Sequence, residues 1–261
     1  MNSWISHWKP NPEARLRLFC FPYAGGGASL YKSWADSLPS SVEVCPVQPP
    51  GREGRRGEAP FTRLLPLVKA ISERIEPLLN LPYAFFGHSL GAKIAFELAR
   101  DLQRGFNLNP ACLFISACPA PQMPNEAPAF DLPDDRFVER MRRLNGVPEH
   151  IDPHRKALRV VLPCIRADVE MYDTYTYVPG PLLRCPIVVL GGDRDPLADL
   201  NQLSCWRDLT SSRFSLQMLS GDHFFLRTIQ PSILRIVSEE LNTIIQTSLP
   251  PAREPVLLDR Q

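Results

Sequence analysis

The sequence lacks any apolar run close to the length of about 18 residues that a membrane-spanning helix needs. It also lacks an excess of one charge, because the formal net charge at pH 7 is +1, which argues against a nucleic-acid-binding protein. The segment from Met1 to Lys9 does not have the basic-then-apolar layout of a secretory signal. We therefore expect a cytoplasmic protein that binds neither nucleic acid nor membranes.

Paired cysteines are also lacking, since the chain has seven, an odd number, with no C-x-x-C pair. Neither a disulfide framework nor a zinc site is indicated, and we expect mostly buried, reduced thiols. The glycine-rich segments contain no G-K-[ST] ending of a P-loop and no G-x-G-x-x-G pattern. We therefore expect no metal and no organic cofactor. The cysteines are Cys20, Cys45, Cys112, Cys118, Cys164, Cys185 and Cys205.

What the chain does contain is a short apolar segment, residues 83–86, joined to a segment of helical periodicity by the pentapeptide G-H-S-L-G at residues 87–91. This is the G-x-S-x-G pattern of a nucleophile elbow, a sharp turn that exposes a serine hydroxyl between a strand and a helix. Side chains at Gly87 and Gly91 would collide with that turn. The alternative is an ordinary glycine-bounded turn, which the strand–turn–helix context disfavours. The pattern predicts Ser89 as a nucleophile.

Short apolar segments alternate with segments of helical periodicity along most of the chain. This alternation predicts an α/β domain with a mostly parallel sheet flanked by helices. The predicted strands are Leu16–Phe21, Val42–Val47, Tyr83–Phe86, Cys112–Ser116, Pro186–Leu190 and Phe214–Met218. The predicted longer helices, besides the one after the elbow, are Phe61–Leu79, Asp134–Leu144, Pro153–Tyr175 and Pro231–Ile245.

The rhythm changes between residues 119 and 181, where prolines cluster and helical segments follow without a strand candidate. We predict that this segment forms a helical lid over the carboxyl edge of the sheet, where such sheets place their sites. Residues 1–118 and 182–246 then form the core. Residues 247–261 are expected to be a poorly ordered tail.

A serine nucleophile needs a base within hydrogen-bond reach and a carboxylate that orients the base. Of five histidines, His223 follows the last predicted strand, and the chain order Ser…Asp…His requires a late histidine. His88 is too close to Ser89 along the backbone to approach the hydroxyl in line. The others are His7, before the first predicted strand, and His150 and His154, in the predicted lid.

The carboxylate is expected after the strand that follows the lid, where Asp193 and Asp195 both lie. Asp195 precedes a proline where a loop enters a helix, and it is the preferred candidate, with a helix N-cap as the structural alternative. Asp193 stays open as the acid, and Asp168 near the end of the lid is an outside candidate.

The oxyanion of such a reaction needs two backbone donors. One would be the N–H of Leu90, directly after the nucleophile. The other would come from the loop Y-A-G-G-G at residues 23–27, where missing side chains let the backbone approach a substrate, and we predict the N–H of Ala24. Loss of one such donor typically costs roughly a hundred- to thousandfold in rate.

Six segments carry a family pattern. They are L-F-C-F-P-Y-A-G-G at 18–26 followed by Trp34, Q-P-P-G-R-E at 48–53, G-H-S-L-G at 87–91, R-A-D at 166–168 followed by Tyr175 and Tyr177, G-G-D-R-D-P at 191–196, and G-D-H-F-F at 221–225. In this order they resemble the type II thioesterases, the stand-alone editing enzymes of non-ribosomal peptide and polyketide synthesis. The resemblance covers residues 15–245, and F-P-Y-A-G-G and P-G-R-E are more specific than the elbow. Leu90 stands where that family most often has methionine, but only its backbone N–H is required.

The resemblance implies an α/β-hydrolase fold with a mobile helical lid. It also implies hydrolysis of misprimed or stalled acyl groups from the phosphopantetheine arm of an acyl or peptidyl carrier protein domain. By matching position it implies Ser89 as nucleophile, Asp195 as acid and His223 as base. We expect the chain to act on this partner as a monomer.

The candidate substrate contacts are Tyr23, Arg52, Met171 and Tyr175. Arg52 lies with two further arginines in a glycine-containing loop, where it would meet the pantetheine phosphate or an acidic carrier surface, unless the loop is simply solvated. Met171 and Tyr175 belong, with Tyr172 and Tyr177, to a Met/Tyr stripe in the predicted lid that would line an acyl channel. Such a stripe at helical spacing more often belongs to a core.

Three other functions remain open at this stage. A deep apolar channel would favour chain termination, with release of medium-chain fatty acids from a fatty-acid synthase. Activity without a carrier protein would favour a general carboxylesterase. An unreactive Ser89 would favour a silent hydrolase scaffold that serves only as a binding module.

Overall fold

The structure is a computed structural model that describes residues 3–6, 9–124, 127–146 and 156–248. Within these ranges the strands are β1 (Leu16–Phe21), β2 (Val42–Pro46), β3 (Tyr83–His88), β4 (Cys112–Ser116), β5 (Ile187–Gly192) and β6 (Phe214–Leu219). The α-helices are α1 (Trp34–Ser37), α2 (Leu64–Ile75), α3 (Leu90–Phe106), α4 (Asp134–Arg143), α5 (Lys156–Asp173), α6 (Leu200–Ser204), α7 (Phe225–Thr228) and α8 (Gln230–Ser248). Short 3₁₀ helices span Ala28–Tyr31, Glu53–Arg55, Glu76–Leu78 and Cys205–Leu209.

The described strands form one sheet in the order β2-β1-β3-β4-β5-β6, and every neighbouring pair is parallel. The predicted fold class, a mostly parallel sheet flanked by helices, is confirmed. Because all strands point the same way, the loops after β1, β3, β5 and β6 meet at one edge of the sheet. These four loops carry Ala24, Ser89, Asp195 and His223, which are the predicted triad and one predicted oxyanion donor.

Both faces of the sheet are buried along β1 to β5, as their near-continuous apolar sequences require, while the edge strand β6 is partly exposed. Alternation along β1 sends Phe19 to a core that contains α2 and α3, and Leu18 to a second core that contains α1 and α8. Two tryptophans fill these cores. Trp206 packs edge-on against Phe96 of α3 in the first, and Trp34 of α1 belongs to the second.

The predicted helix at Phe61–Leu79 is shorter than expected. It begins at Leu64 and ends at Ile75, and a 3₁₀ turn follows it. Pro66 therefore lies in the first turn of α2, where the missing N–H would have had no partner inside the helix. The proline marks the start of the helix rather than a kink.

The segment between β4 and β5 carries α4 and α5, and its described residues add no strand to the sheet. The predicted helix at Pro153–Tyr175 is observed as Lys156–Asp173, while residues 153–155 lie outside the described ranges. The last predicted helix, Pro231–Ile245, is observed as Gln230–Ser248, so its end overlaps residues 247 and 248 of the predicted tail. The rest of that tail, residues 249–261, also lies outside the described ranges.

No helix in the described ranges is both long and apolar enough to cross a bilayer. All seven cysteines are described, and none forms a disulfide. Six of them are buried and Cys205 is partly exposed. Burial raises the pKa of the six buried thiols, as at Cys118, where it reaches about 11. They are protonated packing groups and not nucleophiles.

Candidate active site

Ser89 sits on a strained turn between β3 and α3, with φ 54° and ψ −118°. A serine adopts this backbone only where the surroundings enforce it. A Cβ on Gly87 would lie 2.2 Å from the Gly91 carbonyl oxygen, and a Cβ on Gly91 would lie 2.1 Å from the Phe21 carbonyl oxygen. The two glycines therefore let the turn close on itself and let α3 approach the end of β1. The turn leaves Ser89 partly exposed at the carboxyl edge of the sheet.

The structure brings Ser89, His223 and Asp195 together although they are far apart in sequence. His223 Nε2 lies 3.0 Å from Ser89 Oγ. His223 Nδ1 lies 2.9 Å from Asp195 Oδ2 and 3.1 Å from Oδ1. Because an ionised carboxylate only accepts hydrogen bonds, Nδ1 donates to Asp195 and Nε2 is left to accept the Ser89 hydroxyl proton. This is the hydrogen-bonded chain of an activated serine.

The other candidate acids lie elsewhere. Asp193 accepts the N–H of Gly221 at 2.8 Å and lies 3.2 Å from Arg194, so it fixes the loop that carries the histidine. Asp168 is hydrogen-bonded to Arg52 and to the backbone N–H of Gly25. Of the competing histidines, His7, His150 and His154 lie outside the described residues.

His88 has a positioning role that the sequence did not reveal. Its Nε2 lies 2.9 Å from the carbonyl oxygen of His223, and its Nδ1 lies 2.9 Å from Ser116 Oγ. Since a carbonyl only accepts, Nε2 carries the proton and Nδ1 accepts from the Ser116 hydroxyl. Burial, together with the neighbouring His223, lowers the pKa of His88 to about 3. His88 is thus a neutral group that fixes the backbone of His223.

The two predicted oxyanion donors flank the serine. Leu90 is the first residue of α3, so its N–H has no partner within the helix and lies at the positive end of the helix dipole. Ala24 follows β1 in the glycine-containing loop and lines the same cavity as Ser89. No hydrogen bond to another described residue occupies either N–H. Both donors are therefore available to a substrate oxygen.

A cavity of about 140 Å³ opens above Ser89 and His223. Its walls come largely from the predicted lid, including Met141 of α4 and Ile165, Val169 and Tyr172 of α5. Charged groups also reach it. They are Lys93, Asp173, Arg140 and Arg227.

Lys93 is a cavity residue that sequence reasoning missed. Its ammonium lies 3.5 Å from the centre of the Tyr172 ring, a cation–π contact. Burial lowers the pKa of Lys93, while Cys118 and Asp173 act in the opposite direction. The signal was available, because Lys93 follows Ser89 by four residues and so lies on the same face of α3. The cavity is consequently not a purely apolar channel.

Of the four predicted substrate contacts, only Tyr23 lines the cavity. Arg52 was misplaced, because it is buried and pairs with Asp168 through both terminal nitrogens. Met171 and Tyr175 were also misplaced. Met171 is 1% exposed in the main core, and the Tyr175 hydroxyl donates to Glu97 at 2.6 Å. Met171 on α5 and Tyr175 just after it face the core, whereas Tyr172 of the same stripe lines the cavity.

Together these groups can carry out acyl transfer to and from a serine. A hydroxyl with a base, an oriented base, two free N–H groups and a partly closed cavity are the requirements for nucleophilic attack on a carbonyl. No group of histidine, cysteine, aspartate or glutamate side chains in the described ranges has a metal-binding arrangement.

Known proteins resemble this chain over nearly its whole length. The profile of the family described as Thioesterase domain matches residues 16–241. The Gramicidin S biosynthesis protein GrsT of Aneurinibacillus migulanus is 40% identical over 246 residues, which cover 94% of this chain and 96% of that protein. The medium-chain S-acyl fatty acid synthase thioesterase of Rattus norvegicus is 31% identical over 222 residues, 83% of each chain.

A solved structure is similarly close. The type II thioesterase BorB from the borrelidin biosynthetic cluster superposes with a TM-score of 0.82 at 35% identity, over 92% of this chain and 96% of that one. This similarity confirms the predicted α/β-hydrolase fold.

Proposed function

Because the chain belongs to the thioesterase family and is a thioester hydrolase, we propose that it removes acyl groups from the phosphopantetheine arm of carrier proteins. Its setting would be non-ribosomal peptide or polyketide synthesis, where it clears misprimed or stalled acyl groups from the carrier domains. The names of GrsT and BorB, which refer to gramicidin S and to the borrelidin cluster, support this setting. A monomer that acts in the cytoplasm on one carrier domain at a time is part of the proposal.

One observation carries the catalytic assignment. The hydrogen-bonded chain from Ser89 through His223 to Asp195 ends in the cavity, with the two unoccupied N–H groups beside it. We assign Ser89 as nucleophile, His223 as general base and Asp195 as the group that orients the imidazole.

In the first half of the reaction, Ser89 Oγ attacks the thioester carbonyl as its proton passes to His223 Nε2. The N–H groups of Leu90 and Ala24 hold the negative oxygen of the tetrahedral intermediate. The C–S bond then breaks and the proton passes to the departing sulfur. A thiol pKa of roughly 8.5, by analogy with cysteine, makes this departure easier than that of an amine.

In the second half, water attacks the acyl-serine carbonyl and gives a proton to His223. The same N–H groups hold the second oxyanion, and its collapse releases the acid and restores the Ser89 hydroxyl. Asp195 stabilises the charged imidazole in both halves. A buried carboxylate with no exposed surface suits this role, since its hydrogen bond to Nδ1 is not shared with solvent.

The phosphate of the pantetheine arm needs a cation near the cavity mouth. Arg227 lines the cavity, is exposed, and stacks its guanidinium 4.4 Å from the centre of the Phe224 ring, while its Nε donates to the Tyr23 hydroxyl at 3.0 Å. Nη1 also donates to the Asn145 carbonyl at 3.4 Å, so the guanidinium is held while Nη2 has no hydrogen bond to a described residue. We assign Arg227 the phosphate contact that the sequence analysis gave to Arg52.

The charged cavity wall also bears on the acyl group. Lys93 and Asp173 both line the cavity, and Asp173 accepts from the N–H groups of Ala129 and Phe130, so part of the wall that a long alkyl chain would contact is charged. The fatty-acid thioesterase of Rattus norvegicus is also less similar to this chain than GrsT is. We therefore favour short or polar acyl groups over medium-chain fatty acids.

The test compares carrier-bound and free thioesters. A carrier domain is loaded with acetyl, hexanoyl, alanyl or dodecanoyl groups, and the same acyl groups are offered as N-acetylcysteamine thioesters, which lack the phosphate. We expect kcat/KM to favour the carrier-bound form by about tenfold or more, equivalent to about 1.4 kcal/mol. We also expect acetyl, hexanoyl or alanyl release to exceed dodecanoyl release.

Arg227→Gln serves as the variant for this comparison, and Arg194→Gln as its control, because Arg194 is exposed on the same loop edge but does not line the cavity. Arg227→Gln should raise KM only for the carrier-bound substrates. Equal turnover of the free thioesters would contradict a carrier-directed enzyme and favour a general esterase. A dodecanoyl preference would favour chain termination.

A further inference from the structure

Asp168 is a buried carboxylate in the lid, on α5, and the proposed triad does not use it. Its side chain is 3% exposed and that of its partner Arg52 is 8% exposed. The two residues are 116 positions apart, so the pair joins the lid to the core. A buried ion pair of this kind adds little stability over apolar packing, which directs attention to what else it contacts.

The carboxylate also reaches the loop that carries the proposed oxyanion donor. Asp168 Oδ1 accepts from Arg52 Nη2 at 2.9 Å, and Oδ2 accepts from Arg52 Nη1 and from the backbone N–H of Gly25 at 2.7 Å. Gly25 has φ +78°, a conformation that favours glycine, so the loop turns its N–H toward the lid. Gly25 directly follows Ala24.

The loop is further held from the core side. Arg52 Nη1 donates to the Gly26 carbonyl at 3.2 Å, Gln48 Oε1 accepts the N–H of Ala28 at 2.9 Å, and Glu53 accepts from the Ser29 hydroxyl. The Q-P-P-G-R-E segment thus fixes the far half of the loop. Asp168 holds the near half, beside Ala24.

Geometry connects this contact to the oxyanion. The N–H groups of Ala24 and Gly25 belong to the two peptide planes that meet at the Cα of Ala24. A charge-assisted hydrogen bond that holds one plane limits rotation of the other. The plane of the Ala24 N–H is also held at its other end, where the Tyr23 carbonyl accepts from the Gly26 N–H at 2.9 Å. Without the Asp168 contact this plane keeps only that one restraint, and oxyanion stabilisation depends on donors that are oriented beforehand.

We propose that Asp168 is a positioning residue through which the lid helix α5 aligns the Ala24 N–H for the oxyanion. The inference rests on the proposed function, because it takes Ala24 as an oxyanion donor. It follows that the site is fully assembled only when α5 is seated on the core with Asp168 against Arg52 and Gly25. Hydrolysis is thereby linked to the position of the same element that lines the acyl cavity.

The chain offers a matched control two residues further along α5. Glu170 also joins α5 to the core through an ion pair, with Arg63, but that pair is more exposed and does not touch the glycine-containing loop. Glu170→Gln therefore weakens the attachment of α5 without changing the contact to Gly25. Asp168→Asn keeps the size of the side chain and removes its charge.

The experiment measures hydrolysis of hexanoyl-N-acetylcysteamine by the wild type, Asp168→Asn, Arg52→Lys and Glu170→Gln, together with their melting temperatures. It also measures inhibition by a hexyl trifluoromethyl ketone, which forms an oxyanion when Ser89 Oγ adds to its carbonyl and the serine proton passes to His223. We expect Asp168→Asn to lower kcat by about tenfold to a hundredfold, less than the loss of a whole donor. KM should stay near the wild-type value, and the ketone should bind more weakly by a similar factor.

Arg52→Lys keeps the charge but loses the two-pronged contact, so it should shift kcat and ketone affinity in the same direction by a smaller factor. If Asp168→Asn does not fold, the kcat and the ketone affinity of Arg52→Lys test the inference instead. Glu170→Gln should leave kcat and ketone affinity unchanged. Unchanged kcat and ketone affinity in folded Asp168→Asn, or equal losses in Asp168→Asn and Glu170→Gln, would overturn the inference. Ser89→Ala separates the two proposals, because hydrolysis that survives it contradicts the proposed function itself.

Discussion

Asp195 and Asp193 lie two residues apart in one loop but have different partners. Asp195 is fully buried and accepts from His223 Nδ1, whereas Asp193 accepts the N–H of Gly221 and lies near the exposed Arg194. Both carboxylates therefore support the loop region around the histidine, but only one holds the imidazole. The pair allows the orienting role to be separated from loop support.

We expect Asp195→Asn to lower kcat by about a thousandfold to ten-thousandfold, because an asparagine favours the wrong imidazole tautomer or loses the charge that stabilises the imidazolium. Asp193→Asn keeps an oxygen that accepts from Gly221. Because a whole neutral hydrogen bond is worth about 1 kcal/mol and this one is retained, kcat should change by less than about threefold. Steady-state hydrolysis of hexanoyl-N-acetylcysteamine measures both. The reverse ranking would make Asp193 the acid.

At the residue scale, the sequence predicts those functional positions that only one or a few residue types can fill. Few residue types can serve as nucleophile, base or elbow glycine, so Ser89, Gly87 and Gly91 could be identified from spacing. Arg52 could not be placed, because its partner Asp168 lies 116 residues away and no local pattern distinguishes a buried arginine from a solvated one. The P-G-R-E motif that contains Arg52 pointed to the family, but the role of Arg52 depends on contacts that form only in the folded chain.

At the scale of elements, the end of β3 joins three parts of the site. His88 is its last residue, and the imidazole bridges Ser116 at the end of β4 and the His223 carbonyl in the loop after β6. The imidazole is fully buried and neutral, with its pKa lowered by burial to about 3. Because this titratable imidazole holds the ends of two strands and a loop together, the stability of the fold should depend on pH in acid.

We expect His88 to make the fold sensitive to mild acid. In the unfolded chain its pKa is about 6.5, so lowering the pH below that value protonates the unfolded state while the folded state stays neutral until about pH 3. The stabilisation is complete above about pH 6.5 and is lost as the pH falls toward 3, at up to about 1.4 kcal/mol per pH unit. Between pH 6.5 and 4.5 the loss from this group is about 2 kcal/mol.

Urea unfolding at these two pH values measures the effect. His88→Gln cannot take up this proton, so its free energy of unfolding should fall less between pH 6.5 and 4.5 than that of the wild type. Ser116→Ala removes a hydrogen bond but keeps the imidazole, and it should retain most of the wild-type pH dependence. Parallel pH profiles for the wild type and His88→Gln would contradict the role of His88 as the acid-sensitive group.

Element types follow from the sequence more readily than element faces. Apolar segments bounded by turn residues indicated the strands, whereas the sequence left open whether Pro66 kinks the helix or lies at its start. The lid helix α5 was found as a helix, but Met171 was assigned to the cavity and packs in the core instead. Both faces of α5 are covered, one by the core and one by the cavity, so periodicity alone could not distinguish them.

At the scale of the whole molecule, a parallel sheet gathers four loops at one edge and a helical segment covers them. The alternation of strands and helices predicted the sheet, and the resemblance to type II thioesterases is confirmed by the family match and by BorB. What the sequence could not supply is the contact between lid and core, because Asp168 and Arg52 meet only once the chain has folded. The lid as a separate mobile unit stays a prediction.

The central claim is that Ser89 is the nucleophile of a carrier-directed thioesterase. The most direct measurement is hexanoate release from a hexanoyl-loaded carrier domain by the wild type and by Ser89→Ala, with melting temperatures to show that both are folded. We predict that Ser89→Ala lowers kcat by about ten-thousandfold to a millionfold, as expected when the nucleophile of a serine hydrolase is removed. Release by folded Ser89→Ala within about tenfold of the wild-type rate, a difference of only about 1.4 kcal/mol, would contradict the claim.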